Sequence, residues 1–194
     1  MTNPIPDFVQ NHYEIHQWKH PVAILNRDFP NEWNDLMEVL TEFRLFKRDV
    51  LAPGRGKSPV TIALDSRFYS RGWEEKAFDT KVVIDNVSLE SPTHKVDCFK
   101  NEIAVEVEWN SKDSVFDRDL NNFRLLFEYR AISVGVEITR CDELQNIFDE
   151  LGKGKSYGPT TTHMKKLLSK LWGGGAGGCP VLVFGITRRL YVEE

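Results

Sequence analysis

Apolar residues recur along this chain at two spacings, and the changes from one to the other divide it into elements. Trp33, Leu36, Met37, Leu40 and Phe43 fall at helical intervals, which predicts an amphipathic helix over residues 31–46 with Asn31 as its N-cap just after Pro30. The run Leu51-Ala-Pro-Gly-Arg-Gly-Lys-Ser-Pro interrupts that period with turn formers and leads into a second helical stretch over 61–71. From Lys81 the character changes to β-branched runs at 82–89, 96–99 and 103–109, separated by Ser-Pro-Thr-His and by Lys-Asn; three strands in a meander are expected. Helical spacing returns over 114–130 through Phe116, Leu120, Phe123, Leu126 and Phe127. A strand at 132–139, a capped helix at 142–151 ending at Gly152, a helix at 163–172, a glycine loop at 173–178 and a closing strand at 181–186 complete the chain. Neither an internal repeat nor a dividing linker is visible, so the order implies one α/β domain over 1–194, a central mixed β-sheet flanked by helices.

With 194 residues, 41% hydrophobic and 28% charged, the chain can bury one sizeable core, which excludes a wholly disordered protein. No run approaches the roughly 18 unbroken apolar residues of a membrane span, so no membrane is expected among its partners. The opening MTNPIPDFVQNHYE lacks both a basic and an apolar leader region, which makes the cytoplasm the expected compartment. Cys98, Cys141 and Cys179 are odd in number and widely spaced, the pattern of reduced, packed thiols. A net charge of −4 argues against a polyanionic partner until its distribution is considered. Residues 152–194 carry seven basic side chains against two acidic ones, a balance of +5, and leave −9 for residues 1–151. Distant charges are screened beyond roughly 8–10 Å, so the basic segment can face phosphates on its own.

The chemistry concentrates between His94 and Trp109. Glu106 and Glu108 stand in a strand otherwise made of Ile, Ala, Val and Trp, and alternation places both carboxylates on one face. Asp97 ends the preceding strand, and a hairpin through 98–103 brings it beside them. Carboxylates this close repel one another unless a hard cation with oxygen ligands neutralises them, and Mg²⁺ held by one or two carboxylates plus substrate phosphate suits such a set. Alternating Glu on a strand with one wet face is the competing reading of the same spacing.

Several strings in a shared order go further. Asp97 lies nine residues before Glu106 within Ile-Ala-Val-Glu-Val-Glu-Trp-Asn, and a long helix then leads to Ile132-Ser-Val-Gly-Val-Glu-Ile-Thr. Phe29-Pro-Asn-Glu-Trp, Arg71-Gly-Trp-Glu, Lys155-Ser-Tyr-Gly and Pro180-Val-Leu-Val-Phe-Gly-Ile flank them. Together these resemble the PD-(D/E)XK nucleases, and within them the BglII/BstYI-like branch of type II restriction endonucleases. The resemblance implies the restriction-endonuclease-like core, with its catalytic part at about 80–140 and the DNA-recognition loops and closing strand at about 152–190. It implies that Asp97 and Glu106 hold Mg²⁺ against a scissile phosphate of double-stranded DNA. Glu108 then positions or deprotonates the attacking water, or helps bind a second ion, and a 5′-phosphate is left. A homodimer cutting a short palindrome and a cognate methyltransferase are implied as well, a GATC-centred target being what the nearest relatives suggest. Two departures stand out. Val96 replaces the proline of the family name, and Glu108 replaces the usual lysine, so water activation is expected to rely on the metal or a carboxylate with no lysine in position.

Base reading requires side chains at the groove edges. Lys155, Ser156, Thr160, Thr161 and Thr162 in the 153–163 loop, and Asn110, Ser111 and Lys112 after the catalytic strand, are the candidates. The glycine loop 173–178 offers close backbone approach or merely a flexible connection, and the 114–130 helix is the candidate dimer contact unless its own sheet buries it. Other motifs are set aside. His12, His16 and His20 would align only on a helix, whereas Tyr13, Ile15 and Trp18 read as well as a strand. Gly-Arg-Gly-Lys-Ser lacks the first glycine of a phosphate loop, Leu51 standing there, although Arg55 and Lys57 can still reach DNA. Cys98 near His94 has no activating order and reads as core. A structure-specific repair or recombination nuclease, and a catalytically silent DNA-binding module, remain the alternatives.

Overall fold

In the computed structural model, which describes residues 3–54, 56–90 and 93–194, the chain forms a six-stranded mixed sheet between two helical layers. In order the elements are α1 (Asp7–His12), β1 (Tyr13–Trp18), α2 (Pro21–Asp28), α3 (Pro30–Glu42), β2 (Leu45–Phe46), α4 (Lys47–Leu51), α5 (Pro59–Tyr69), β3 (Glu74–Lys76), β4 (Lys81–Ile84) and β5 (Val87–Glu90). There follow β6 (Val96–Lys100), β7 (Ile103–Glu108), α6 (Val115–Glu128), β8 (Val134–Arg140), α7 (Leu144–Glu150), α8 (Met164–Trp172), β9 (Val181–Ile186) and β10 (Tyr191–Val192). Arg55 and the Ser91-Pro92 pair, invoked above, lie outside the described residues.

The sheet runs β1-β9-β8-β7-β6-β3, with β7, β8 and β9 parallel and the outer pairs antiparallel. Every residue of β7, β8 and β9 is buried, as expected for parallel strands covered on both faces. One face, through Val105, Val107, Val136, Ile138, Leu182 and Phe184, packs on Leu25, Leu36, Leu40, Leu64 and Phe68 of α2, α3 and α5. The other presents Phe99, Ala104, Val181 and Val183 to Phe116, Leu120 and Phe123 of α6 and to Leu167 and Leu171 of α8. Glu106, Glu108, Glu137 and Thr139 share this second face by alternation.

The expected mixed sheet flanked by helices is thus present, with differences that have physical causes. The stretch 82–89 is not the first strand of a meander. It folds as the β4–β5 hairpin, paired only with itself, and leaves Ile84 and Val87 more than half exposed. The place beside β6 belongs to β3, a three-residue charged strand too short to show a period. The strand at 181–186 lies inside the sheet because β1 covers it, so the histidine-bearing segment is the strand its apolar residues suggested. Helix α3 starts at Pro30, whose fixed φ suits the first helical position, with Phe29 and not Asn31 before it. Glycines 175, 177 and 178 lie against Leu120, Arg124 and Phe127 of α6, which makes the glycine loop a packing contact. The apolar face of α6 is likewise spent on its own sheet and on α8, so its residues Phe116, Leu120, Phe123 and Leu126 are not available to a dimer. Among the described residues no helix is long and apolar enough to cross a membrane.

Gly135 of β8 leaves room for α6 to lie against the sheet, for a Cβ there would stand 2.6 Å from the Phe123 ring. Gly135→Ala should therefore lower unfolding stability by about 1–3 kcal/mol, read from denaturant midpoints at unchanged slope.

Candidate active site

Two backbone details bring the acidic residues together. Asn101 and Glu102 both have positive φ, at 44° and 69°, which makes the β6–β7 connection a two-residue hairpin turn of the kind that matches strand twist. Lys100 then pairs with Ile103, Phe99 with Ala104 and Cys98 with Val105, and the same register sets Asp97 beside Glu106. The two are locked reciprocally: Glu106 Oε2 accepts the Asp97 backbone N–H at 3.3 Å, and Asp97 Oδ2 accepts that of Val107 at 3.3 Å. Next along the sheet, β8 pairs Glu106 with Glu137 and Glu108 with Thr139.

Above these strands α6 contributes Asp119, so four carboxylates, Glu106, Glu108, Asp119 and Glu137, are buried between sheet and helix. Glu106 Oε1, Asp119 Oδ2, both oxygens of Glu137 and the Thr139 hydroxyl have no hydrogen-bond partner. Arg118 answers part of this charge, its Nη2 lying 2.8 Å from Asp119 Oδ1 and 3.3 Å from Glu108 Oε1. Burial first, and then repulsion among the acids, raises the pKa of each. Glu106 and Glu137 stand well above the usual carboxylate range, Asp119 is pushed up to about 7, and Glu108 is raised despite its hydrogen bond to Ser111 and the nearby Arg118. Without a cation the folded cluster therefore holds protons that the unfolded chain releases.

Asp97 and Glu108 open into a cleft of about 450 Å³, with Glu106 buried below. Asn110, Ser111, Arg118, Lys153 and Ser156 also line it, as do residues 52–54 and 56–59. The donor set fits a hard cation. Glu106 Oε1 is a buried oxygen without a partner, and Asp97 contributes a second carboxylate at the cleft floor. Among the described residues no group of three His, Cys, Asp or Glu side chains is arranged to hold an ion. A two-carboxylate site is the arrangement Mg²⁺ accepts when substrate phosphate and water complete its shell.

The expected DNA-contact residues divide. Asn110, Lys112, Lys155, Ser156 and Thr160 are exposed and Ser111 is half-buried, with Asn110, Ser111 and Ser156 in the cleft wall. Their two loops are stitched together: Thr162 N–H donates to Ser111 O at 2.9 Å, Asp113 N–H donates to Thr160 O at 3.0 Å, and Lys112 bridges Thr161. Thr162, also expected at a base edge, is fully buried: its backbone N–H joins the two loops and its hydroxyl has no hydrogen-bond partner. The Thr161 hydroxyl is already engaged, accepting from Arg140 Nη2 at 2.9 Å and donating to Gly158 O at 2.8 Å. The strand carrying Glu106 and Glu108 supplies no lysine, but Lys57 reaches the site from upstream, its Nζ lying 3.5 Å from Asp97 Oδ1 and paired with buried Asp65. Sequence spacing could not place a side chain from forty residues upstream. Glu137 carried the same signal as Glu106, a carboxylate within an apolar strand, and was legible in Val-Gly-Val-Glu-Ile; Asp119 and Asp65 were ordinary polar positions of helices.

The sign of the acid cluster's pH dependence follows from its raised pKa values. Stability is fully present below the unfolded carboxylate range and declines as pH rises through the folded values, Asp119's window closing at about 7. The metal-free protein should melt higher at pH 5.5 than at pH 8, and Glu137→Gln should stabilise it at pH 8 by about 1–3 kcal/mol while flattening the profile, as followed by calorimetry.

The family of restriction endonucleases BglII/BglIII matches residues 13–186 of this chain, which takes in all six strands of the central sheet. No curated protein matches it.

Proposed function

This chain belongs to the restriction endonuclease BglII/BglIII family and is a site-specific type II deoxyribonuclease, and we propose that it hydrolyses double-stranded DNA with Mg²⁺ at a short palindrome, leaving 5′-phosphate ends. The observation that carries this reading is the reciprocal lock of Asp97 and Glu106 at the floor of the cleft, with one Glu106 oxygen buried and unpartnered. Asp97 and Glu106 would hold the ion. When bound, Mg²⁺ polarises a phosphoryl oxygen and lowers the pKa of the attacking water. Glu108, a carboxylate with raised pKa that lines the cleft, takes the water's proton. The water oxygen bonds to phosphorus, the bond from phosphorus to the 3′ oxygen breaks in line, and that oxygen is protonated from solvent.

Asn110, Ser111, Lys112, Lys155, Ser156 and Thr160 form the surface toward DNA, with Lys155 and Lys112 serving phosphates and the uncharged groups positioned for base edges. The palindrome implies a two-fold homodimer, one subunit per strand, and a cognate methyltransferase protecting the host site. On this reading residues 1–194 act as one endonuclease unit in the cytoplasm.

Digestion of plasmid DNA of known sequence should give discrete fragments with Mg²⁺ and none with EDTA, and end mapping should find 5′-phosphates. Glu106→Ala should slow cleavage by about 10³-fold while leaving DNA binding intact or stronger, measured by mobility shift. Preference for branched or nicked DNA over intact duplex would favour a repair nuclease, and full function in the Glu106 variant a silent binding module.

A further inference from the structure

Lys57 sits in the turn before α5, in the wall of the cleft that Asp97 and Glu108 also line. Its ammonium pairs with Asp65, a carboxylate of α5 that is almost wholly buried, and lies 3.5 Å from Asp97 Oδ1 while the side chain keeps 40% of its surface exposed. Asp65 is a firm anchor, since it also faces Cys98 Sγ at 3.7 Å from inside the core. An ammonium has three donors and no acceptor, so with two carboxylates beside it one donor remains for a ligand in the cleft. The catalytic strand supplies no cation of its own, because position 108 is Glu.

Lys57 and a divalent ion would draw on the same carboxylate. Two positive charges beside Asp97 repel, so an ion there releases Lys57 from Asp97, whereas Asp65 keeps it at the cleft wall. We propose that Lys57 is a phosphate-binding catalytic residue: it neutralises Asp97 in the ion-free protein and, once displaced by the ion, donates to a non-bridging oxygen of the scissile phosphodiester. This rests on the reading of Asp97 and Glu106 as ion ligands. It gives the site a lysine delivered from a loop far upstream in place of one on the catalytic strand.

The two halves of this role predict effects of opposite sign. Mn²⁺ binding to the full-length, DNA-free protein, measured by titration calorimetry, should be about tenfold tighter in Lys57→Met, since the competing charge is gone. Plasmid cleavage at saturating Mg²⁺ should be about 100-fold slower in the same variant. Lys57→Arg should keep the weaker Mn²⁺ binding of the wild type and recover part of the rate. Because Lys57→Met leaves Asp65 buried without its cation, the double variant with Asp65→Asn is measured beside it and should show the same opposed pair of effects. Unchanged Mn²⁺ affinity, weakening of Mn²⁺ binding and cleavage together, or a wild-type cleavage rate would each overturn the inference. A wild type that takes up no Mn²⁺ sensitive to Asp97→Asn would instead overturn the ion-site reading beneath it.

Discussion

Removing carboxylates from water is the constraint around which this structure is arranged. Glu106, Glu108, Asp119 and Glu137 are buried on one sheet face beneath α6, and an isolated ionised carboxylate in such surroundings neutralises itself or finds a counter-charge. Among the described residues Arg118 from α6 and Lys57 from the turn before α5 come near, and neither touches Glu106 Oε1 or Glu137. Protons meet the remaining deficit, since burial and mutual repulsion hold these carboxyl groups above their ordinary range. A divalent ion held by the proposed pair Asp97 and Glu106 would supply a counter-charge of another kind.

The rest of the fold keeps that cluster in place. The tight turn at Asn101 and Glu102 fixes the register of β6 on β7 to the residue, and a slip of one would send Glu106 and Glu108 into the apolar layer of α3 and α5. The parallel trio β7, β8 and β9 is sealed on both sides, so the acidic positions sit on a rigid, water-poor floor. Gly135 lets α6 lie close enough to carry Asp119 and Arg118 down to that floor.

The 153–163 loop and the acid-bearing strand share a frame. Arg140, at the end of β8, is buried and donates to both Tyr157 O and Thr161 Oγ1, with its guanidinium over the Phe148 and Tyr157 rings. Tyr157 in turn accepts a hydrogen bond from Trp109, which directly follows Glu108. The 153–163 loop is therefore tied to β7 through a small number of buried contacts. A loop so held presents Ser156 and Lys153 to the cleft in a defined relation to Glu108.

Local pattern was sufficient for much of this. Helical spacing marked α3, α5, α6 and α8, and the β-branched runs marked β6 to β9, because the core selects the same faces that the sequence repeats. The strand Ile-Ala-Val-Glu-Val-Glu declared its carboxylates, since acids are costly among apolar neighbours wherever the chain goes. Sequence could not show that 82–89 pairs only with itself or that β3 takes the seat beside β6, because strand partnership is decided by competition among edges across the whole sheet. Nor could it bring Lys57, Asp65, Asp119 and Glu137 to Asp97 and Glu106, or bury Thr162. Those juxtapositions join residues tens of positions apart, and only packing of helix on sheet sets such distances.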